Sequence, residues 1–350
     1  MSTDWNFRTK LMKVATAATT VLFTVSMSAM VAYAGGKAVI VTEDSSDILD
    51  DFEPDMSSFS KIIDLSSIKE ETKNDVVIYC PSMPSSENVT VVPRYSDNKL
   101  LLVWKEGRDD YFLSNSPEGK LDHVEKFKLS GNGKDVYFTF ELDSMCECRV
   151  DFDNRDIKLD FVPVTEDETV IAIDPGHGGA QNGVMVGKLT EKEIVLSIAE
   201  RVKKLAKDKP YRVILIRDGD YTLNQADRLK EIEALNASYY ISLHTQADTD
   251  DERVYGMSAG YNGNYYREGL SNVSFADAIL RNACESAKNR GVELINESED
   301  EMLKVMTIPA MNLYVGYLSN RDEGVLLSRS DYCDRIAEGI LAGLDKTVGK

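Results

Sequence analysis

The sequence is poor in positive charge. Lysine and arginine together number 40, against 59 aspartates and glutamates, and the formal net charge at pH 7 is −19. A nucleic-acid partner requires a basic surface, so this composition argues against one. The excess of negative charge also provides no electrostatic attraction toward an acidic substrate, and its main effect is on solubility.

Cysteine and histidine are also scarce. The five cysteines form an odd number, so not all of them can pair within the chain. Cys146 and Cys148 are too close in sequence for an ordinary disulfide with each other, and they lack the second cysteine pair of a zinc ribbon. The cysteines therefore indicate no particular function. The whole chain has three histidines, so the position of each one is informative.

The N-terminal residues have the order of a secretory signal. Basic residues precede an uncharged apolar stretch over residues 14–34, which ends in the small-residue triplet Ala32-Tyr33-Ala34. This order predicts a signal peptide over residues 1–34 and export from the cell. The stretch is also about long enough to span a bilayer, so an uncleaved anchor is the alternative. Signal or anchor is the only membrane contact that the sequence predicts.

Two segments of different composition follow. Residues 41–58 are acidic, contain serine and lack lysine and arginine, which predicts a disordered tether over residues 35–70. Residues 71–165 contain runs in which apolar and polar side chains alternate, such as DVYFTFEL from Asp135, and turn signals separate these runs. The alternation predicts a small antiparallel β domain with one buried face.

From Thr169 onward, short apolar runs alternate with helical patterns. VIAID, RVILI, YYISL and AMNLYVGYL have the character of strands. Apolar residues at helical spacing predict helices at Lys192–Lys207, Arg228–Leu235, Phe275–Lys288 and Tyr332–Leu344. Strands that alternate with helices predict an α/β domain over residues 169–350, with a mostly parallel sheet flanked by helices.

Two of the three histidines follow predicted strands of this domain. His177 lies in IAIDPGHGG and His244 ends YYISLH. Ligands collect at the carboxyl ends of the strands in an open α/β sheet, so these two histidines can be neighbours. A structural role is the better explanation for either histidine alone, whereas the pair together favours a metal.

A catalytic zinc site needs a third protein ligand, and Glu191 is a candidate. Thr190 and Glu193 have the spacing of a capping box, so Glu193 has a structural role. Glu191 is in the first helical turn, where the helix dipole by itself favours a carboxylate. The predicted helix starts at the ligand-bearing edge of the sheet, which also positions Glu191 to complete a His-Glu-His set.

These motifs together resemble a known family. VIAIDPGHGG, Glu191-Lys192-Glu193, ISLHTQA and PAMNLYVGYLSN are similar, in this order, to motifs of the zinc-dependent N-acetylmuramoyl-L-alanine amidases of the type-3 class. The resemblance covers about residues 169–345. It implies that His177, Glu191 and His244 bind Zn²⁺.

The resemblance also implies a reaction and a location. The expected reaction is hydrolysis of the amide between N-acetylmuramic acid and L-alanine, with the glycan-peptide of peptidoglycan as the partner. The expected location is outside a bacterial cell or in its wall. The β domain faintly resembles wall-targeting domains, and the sequence leaves the question of a protein activator open.

One position departs from the pattern of the family. The family carries a glutamate beside the reacting water, and the aligned residue here is Tyr314. Tyrosine, with an ordinary pKa of about 10, is a poor general base at pH 7, although it could hydrogen-bond an oxyanion. Asn312, on the same face of the strand, cannot take the proton either. Loss of a general acid/base typically slows a reaction about 10²–10⁴-fold.

This departure leaves three alternatives. The protein could be an amidase with a replacement base, although Asp174, Glu193 and Glu323 each have another expected role. It could be a catalytically impaired peptidoglycan-binding or regulatory protein that keeps the zinc site. It could also be a metal-free scaffold.

A tyrosine-rich stretch, Tyr255–Gly269, precedes the predicted helix near Phe275. Its Asn262-Gly263 pair predicts a hairpin turn. The alternative is an aromatic rim that binds sugar rings and peptide. On this second interpretation the candidate substrate-binding residues are Tyr261 and Tyr265, together with Asn312.

Overall fold

The computed structural model describes residues 59–63, 76–107, 109–119, 121–267 and 269–348. The predicted signal peptide and most of the predicted tether lie outside the described residues. Phe59–Ile63, inside the predicted tether, forms strand β1, which pairs antiparallel with a later strand. The prediction of disorder over residues 35–70 therefore does not hold for these residues.

The N-terminal strands form two antiparallel sheets, which we call the β module. The strands are β1 (Phe59–Ile63), β2 (Val76–Tyr79), β3 (Val89–Arg94), β4 (Lys99–Trp104), β5 (Val124–Gly131), β6 (Val136–Leu142), β7 (Cys146–Asp153) and β8 (Asp156–Pro163), with helix α1 (Asp109–Ser114) after β4. One sheet has the order β1-β5-β6-β4-β3 and the other β2-β8-β7. Alternation along β6 places Val136, Phe138 and Phe140 in the core of the module.

The C-terminal part is built on one six-stranded sheet. Its strands are β9 (Val170–Pro175), β12 (Arg212–Leu215), β13 (Tyr239–Gln246), β14 (Met257–Tyr261), β17 (Gly291–Asn296) and β18 (Ala310–Tyr317). Their order is β12-β9-β13-β18-β14-β17, and every neighbouring pair is parallel except β18 with β14. Two small antiparallel pairs are β10 (Met185–Val186) with β11 (Leu189–Thr190) and β15 (Tyr266–Arg267) with β16 (Leu270–Ser271).

Helices cover both faces of this sheet. They are α2 (Glu191–Leu205), α3 (Gln225–Ala234), α4 (Asn272–Ala287), α5 (Arg321–Leu327) and α6 (Ser330–Thr347). Residues of α2, α4 and α6 share one hydrophobic cluster with the sheet, and α3 packs in another cluster on the opposite face. A mostly parallel sheet flanked by helices is therefore confirmed. No helix within the described ranges is long and apolar enough to cross a membrane.

Strand β18 has the predicted two-residue alternation. Met311, Leu313 and Val315 are fully buried on the face of the sheet that α2, α4 and α6 cover. Asn312 and Tyr314 point to the other face and line a cavity. The predicted Asn262-Gly263 turn is present, since the amide of Tyr265 donates to the carbonyl of Asn262 at 3.4 Å, but the predicted hairpin is wrong. The antiparallel pairing that follows β14 joins β15 to β16 across a later turn.

The β module packs against the face of the sheet that carries α3. Tyr95, which follows β3, is buried in the same hydrophobic cluster as Ile232 of α3. The backbone amide and hydroxyl of Ser96 donate hydrogen bonds to the Glu231 carboxylate at 3.1 and 2.7 Å. A second cluster joins β3, β4 and β6 to Tyr221. The five cysteines, all within the described residues, are buried and unpaired.

Candidate metal and catalytic site

The structure brings together the three residues that the sequence predicts as zinc ligands. His177 follows β9, His244 lies near the end of β13, and Glu191 begins α2. Their ligand atoms all lie within 4.8 Å of one another. Glu191 Oε2 is 3.4 Å from His177 Nε2, and Glu191 Oε1 is 3.0 Å from His244 Nδ1. Two imidazoles and one carboxylate at this separation could hold a metal ion.

The loop after β9 has a backbone that two buried arginines hold in place. His177 has a φ of +59°, in the left-handed region that is costly for a residue with a side chain. Arg228 Nη2 donates to the carbonyl of His177 at 2.7 Å, and Arg217 Nη2 donates to that of Gly176 at 3.1 Å. Burial and the neighbouring Arg228 lower the pKa of Arg217 to about 10, so it keeps its charge at pH 7.

Gly176 allows the two histidine-bearing strands to approach each other. A Cβ atom at this position would lie 2.3 Å from Cε1 of His244, and the nearby atoms belong to that ring. Any larger residue would displace the imidazole, because a Cβ atom essentially never approaches another heavy atom so closely. Glycine at position 176 is therefore required for the observed position of the His244 ring.

Glu191 is buried and fixed by several donors. Its side chain is 2% exposed, and it accepts hydrogen bonds from the backbone amides of Val184 at 2.8 Å and Thr245 at 2.9 Å. Burial alone raises the pKa of Glu191, but the hydrogen bonds and charges of His177 and His244 outweigh it and hold the pKa well below its usual range. Glu191 is therefore a carboxylate at pH 7.

The predicted capping box does not form, because the side chain of Thr190 does not accept a hydrogen bond from a backbone amide of α2. Thr190 is the N-cap of α2 but makes no side-chain cap bond, because its hydroxyl donates to Glu193 Oε2 at 2.6 Å. The carbonyl of Val184 instead accepts from the amide of Glu191 at 2.9 Å. The β10–β11 hairpin thus takes over part of the capping of α2, since it brings that carbonyl to the helix start.

An open cavity of about 650 Å³ lies beside the three candidate ligands. This volume is within the range of about 300–1,000 Å³ that is usual for small-molecule sites. His177, His244, Asn312 and Tyr314 line it. The rings of His244 and Tyr314 have centroids 6.1 Å apart, consistent with their side-by-side positions in the β13–β18 register.

Glu297 is a residue at this site that the sequence did not identify. It directly follows β17, and its Oε1 accepts a hydrogen bond from the hydroxyl of Tyr314 at 2.8 Å. Its Oε2 accepts from Nδ2 of Asn312 at 2.9 Å. The strand-end argument that indicated His177 and His244 could not find it, because β17 runs opposite to β13 and β18. Only the pairing of β14 with β18 reveals the contact.

The hydroxyl of Tyr314 keeps its proton. Burial raises the pKa of Tyr314 far above its ordinary value, and the negative charge of Glu297 and the hydrogen bond to it raise it further. The neutral hydroxyl donates its single proton to Glu297. It is therefore not directed as a donor toward an oxyanion, which was the role that the sequence allowed it.

The other carboxylates considered from the sequence have structural partners. Asp174 forms a buried ion pair with Arg228 and accepts from the hydroxyl of Tyr240 at 2.8 Å. Glu323 is in the first turn of α5 and accepts from the amide of Tyr317 at 2.7 Å.

The two tyrosines suggested for substrate binding lie elsewhere. Tyr261 packs against the hydrophobic cluster that α2, α4 and α6 share with the sheet. The hydroxyl of Tyr265 donates to the carbonyl of Thr307 at 2.6 Å. Neither is among the described residues that line the cavity. Asn312 does line it, and its role in substrate binding stays a prediction.

Comparison with known proteins finds similar sequences, among them amidases. A germination-specific N-acetylmuramoyl-L-alanine amidase of Bacillus subtilis (strain 168) is 30% identical over 193 residues, which are 50% of this chain and 78% of the relative. An endolysin of Bacillus phage SPP1 is 26% identical over 177 residues, which are 50% of this chain and 64% of the endolysin.

Among solved structures, the catalytic domain of CwlV, an N-acetylmuramoyl-L-alanine amidase from Bacillus (Paenibacillus) polymyxa var. colistinus, is 29% identical. The likeness has a TM-score of 0.45 and covers 51% of this chain and 97% of that one. Residues 171–346 match the family model Amidase_3, described as N-acetylmuramoyl-L-alanine amidase. Because this match spans half of the chain, the chain belongs to the N-acetylmuramoyl-L-alanine amidase family.

Proposed function

We propose that the protein is a zinc-dependent hydrolase of the amide between N-acetylmuramic acid and L-alanine in peptidoglycan, active outside the cell or in its wall. The observation that carries this proposal is the cluster of His177, Glu191 and His244 beside an open cavity. Membership of the amidase family supports the bond that is cleaved.

The donor set fits zinc. Two histidines and one carboxylate are a common set of protein ligands at catalytic zinc sites, where one position stays open. The carboxylate of Glu191 is ionised and oriented by the amides of Val184 and Thr245, as ligands in such sites usually are. Bound zinc would supply Lewis-acid chemistry, which polarises a carbonyl and makes water a better nucleophile.

The residues of this chain then have separate roles. His177, Glu191 and His244 would hold the ion. Arg228 and Arg217 fix the carbonyls of the His177 loop, so the imidazole need not be ordered when the ion binds. The β module would bind the wall, a role that the weak resemblance to wall-targeting domains supports.

The test uses the protein loaded with zinc and incubated with purified peptidoglycan. We expect newly freed L-alanine amino termini and one zinc ion per chain. Glu191→Gln should lose both, because an amide cannot replace a buried anionic ligand. Glu193→Gln, two residues further on the exposed side of the same helix, is the matched control and should retain both.

The outcomes separate the alternatives. Bound zinc and retained wall without release of L-alanine amino termini would make this a peptidoglycan-binding or regulatory protein with an amidase fold. Such a function is favoured only by the absence of the family's glutamate at Tyr314. Absence of stoichiometric zinc from the loaded and desalted protein would refute the metal site itself.

A further inference from the structure

The direction of the Tyr314–Glu297 hydrogen bond determines what Tyr314 can do. A phenol has one proton to donate, and that of Tyr314 goes to Glu297 Oε1 at 2.8 Å. The oxygen of Tyr314 is thereby left with lone pairs for any further partner. A group in the adjoining cavity that reached this oxygen would meet an acceptor, with a carboxylate behind it.

Glu297 reaches Tyr314 across strand β14. In the sheet, β14 lies between β17 and β18, and Gly260 pairs with Asn312 on one side and Ile295 on the other. A Cβ atom at Gly260 would lie 1.7 Å from Glu297 Oε2, so the carboxylate occupies the space that a side chain would fill. A glycine at this point in the middle strand is what allows the contact.

Both carboxylate oxygens of Glu297 are held. Asn312 Nδ2 donates to Oε2 at 2.9 Å while Tyr314 donates to Oε1, so the carboxylate is fixed against both cavity-lining residues of β18. The sequence position of Glu297 is distant from the family's strand motif, yet its contacts join it to the tyrosine that replaces the family's glutamate.

The acids that line this cavity are Asp174, Asp300 and Glu301. Asp174 is paired with Arg228, and Asp300 Oδ1 accepts from the amides of Met302 and Leu303 at 3.0 and 2.8 Å. Glu301 is exposed. Glu297 is thus the carboxylate whose hydrogen bonds connect it to the residue at the family's catalytic position.

We propose that Glu297 and Tyr314 form the proton relay of this amidase, with Glu297 in place of the missing glutamate. The proposal rests on the proposed function. As the oxygen of water attacks the scissile carbonyl carbon, Tyr314 Oη accepts the proton of the water and passes its own proton to Glu297 Oε1. As the carbon–nitrogen bond breaks, the proton returns through Tyr314 to the nitrogen of the leaving L-alanine. Amide and water thus give an acid and an amine, and both relay residues end unchanged.

The test compares kcat and KM for release of L-alanine amino termini from purified peptidoglycan fragments. Glu297→Gln and Tyr314→Phe should each lower kcat about 10²–10⁴-fold with KM unchanged. The double variant should be no slower than either single variant, because members of one relay act as a unit. Glu299→Gln, an exposed acid two residues from Glu297, is the matched control and should leave kcat unchanged.

A rescue variant distinguishes the relay from a structural role. Tyr314→Glu combined with Glu297→Gln puts a carboxylate at the family's position and removes the charge behind it. We expect kcat to rise at least tenfold above that of Glu297→Gln alone. A residue that only supported the fold would give no such recovery, and a urea denaturation curve for each variant identifies any that fails to fold.

A second readout does not depend on turnover. In protein that carries ¹³Cζ-labelled tyrosine and no zinc, Tyr314→Phe identifies the resonance of Tyr314. That resonance should shift in Glu297→Gln, because the acceptor of its hydroxyl changes from a carboxylate to an amide. It should not shift in Glu299→Gln. The zinc content of each loaded variant should equal that of the parent protein.

The proposal and the proposed function can fail separately. Full activity of Glu297→Gln in an active parent, or loss of activity in Glu301→Gln instead, would overturn the relay and leave the amidase intact. A parent protein that binds zinc and peptidoglycan but releases no L-alanine amino termini would overturn both the relay and the proposed function. A Tyr314 resonance indifferent to Glu297→Gln would refute the hydrogen bond on which the relay depends.

Discussion

Gly260 is the residue on which the position of the Glu297 carboxylate depends. Its strand separates β17 from β18, and its missing side chain leaves the space that Oε2 of Glu297 occupies. Its φ is not in the left-handed region, so the backbone would accept alanine. What a Cβ atom would meet is the end of a flexible side chain, which can move aside. The effect of a substitution here should therefore be on function and not on folding.

We predict that Gly260→Ala lowers kcat about 10²-fold, because a displacement of roughly 1 Å in a catalytic group can cost this much. The urea midpoint should stay close to that of the parent. Gly291→Ala on β17 is the control, since a Cβ atom there would lie 3.6 Å from its nearest neighbour. Equal kcat for both variants would contradict the prediction.

At the scale of the element, the loop after β9 depends on helix α3. Arg228 in α3 donates to the carbonyls of Pro175 at 3.1 Å and His177 at 2.7 Å, and forms a buried ion pair with Asp174. The left-handed φ of His177 persists because these bonds determine the path of the loop. One helix residue thus links the strand end, the loop and a candidate metal ligand.

We predict that Arg228→Gln weakens zinc binding about 10–100-fold, the usual effect of losing a partner that orients a ligand. It should also lower the free energy of unfolding by about 3–5 kcal/mol, because Asp174 is left as an uncompensated buried charge. Competition with a chelator and urea denaturation measure the two effects. Lys230→Gln on the same helix, where the side chain is 65% exposed, should change neither quantity. Unchanged zinc affinity in Arg228→Gln would show that the loop keeps its conformation without Arg228.

At the scale of the whole molecule, an acid with one unpaired carboxylate oxygen lies near the junction of the β module with the α/β part. Asp218 Oδ1 is shielded from solvent and has no hydrogen-bond partner within the described part of the chain. Burial raises the pKa of Asp218, and the positive charge of Lys203 only partly offsets this. Its charge also helps to raise the pKa of Tyr95, a residue of the module.

The sign of the resulting pH dependence follows from the raised pKa. The folded state binds the Asp218 proton more tightly than the unfolded state, whose ordinary pKa is about 3.9. This contribution to stability is complete below that value and is lost as the pH rises through the folded pKa.

We therefore predict that Asp218→Asn stabilises the protein increasingly from pH 4 to pH 7, by about 1 kcal/mol at pH 7. Urea denaturation of parent and variant across this range measures the difference. Asp167→Asn, at an exposed position, should give a difference that does not change with pH. A flat difference for Asp218→Asn would contradict the buried charge.

The sequence by itself determined the α/β part, its helices and the three candidate ligands. Helical spacing and short apolar runs are local patterns, so the helices predicted at residues 192–207 and 332–344 are close to α2 and α6. Motif order was enough to identify His177, Glu191 and His244 as candidate ligands, because each lies at or near the end of an element that the local sequence predicts. The replacement at Tyr314 was equally visible.

Only the tertiary structure showed that the hydroxyl of Tyr314 donates a hydrogen bond to Glu297. Glu297 is 17 residues away in sequence, directly after a strand that runs opposite to β18, and it makes contact across the intervening β14. The hydrogen-bond register between strands is set by long-range packing and leaves no local pattern. For the same reason the edge strand β1, the capping of α2 by a hairpin and the burial of Asp218 near the module required the folded chain.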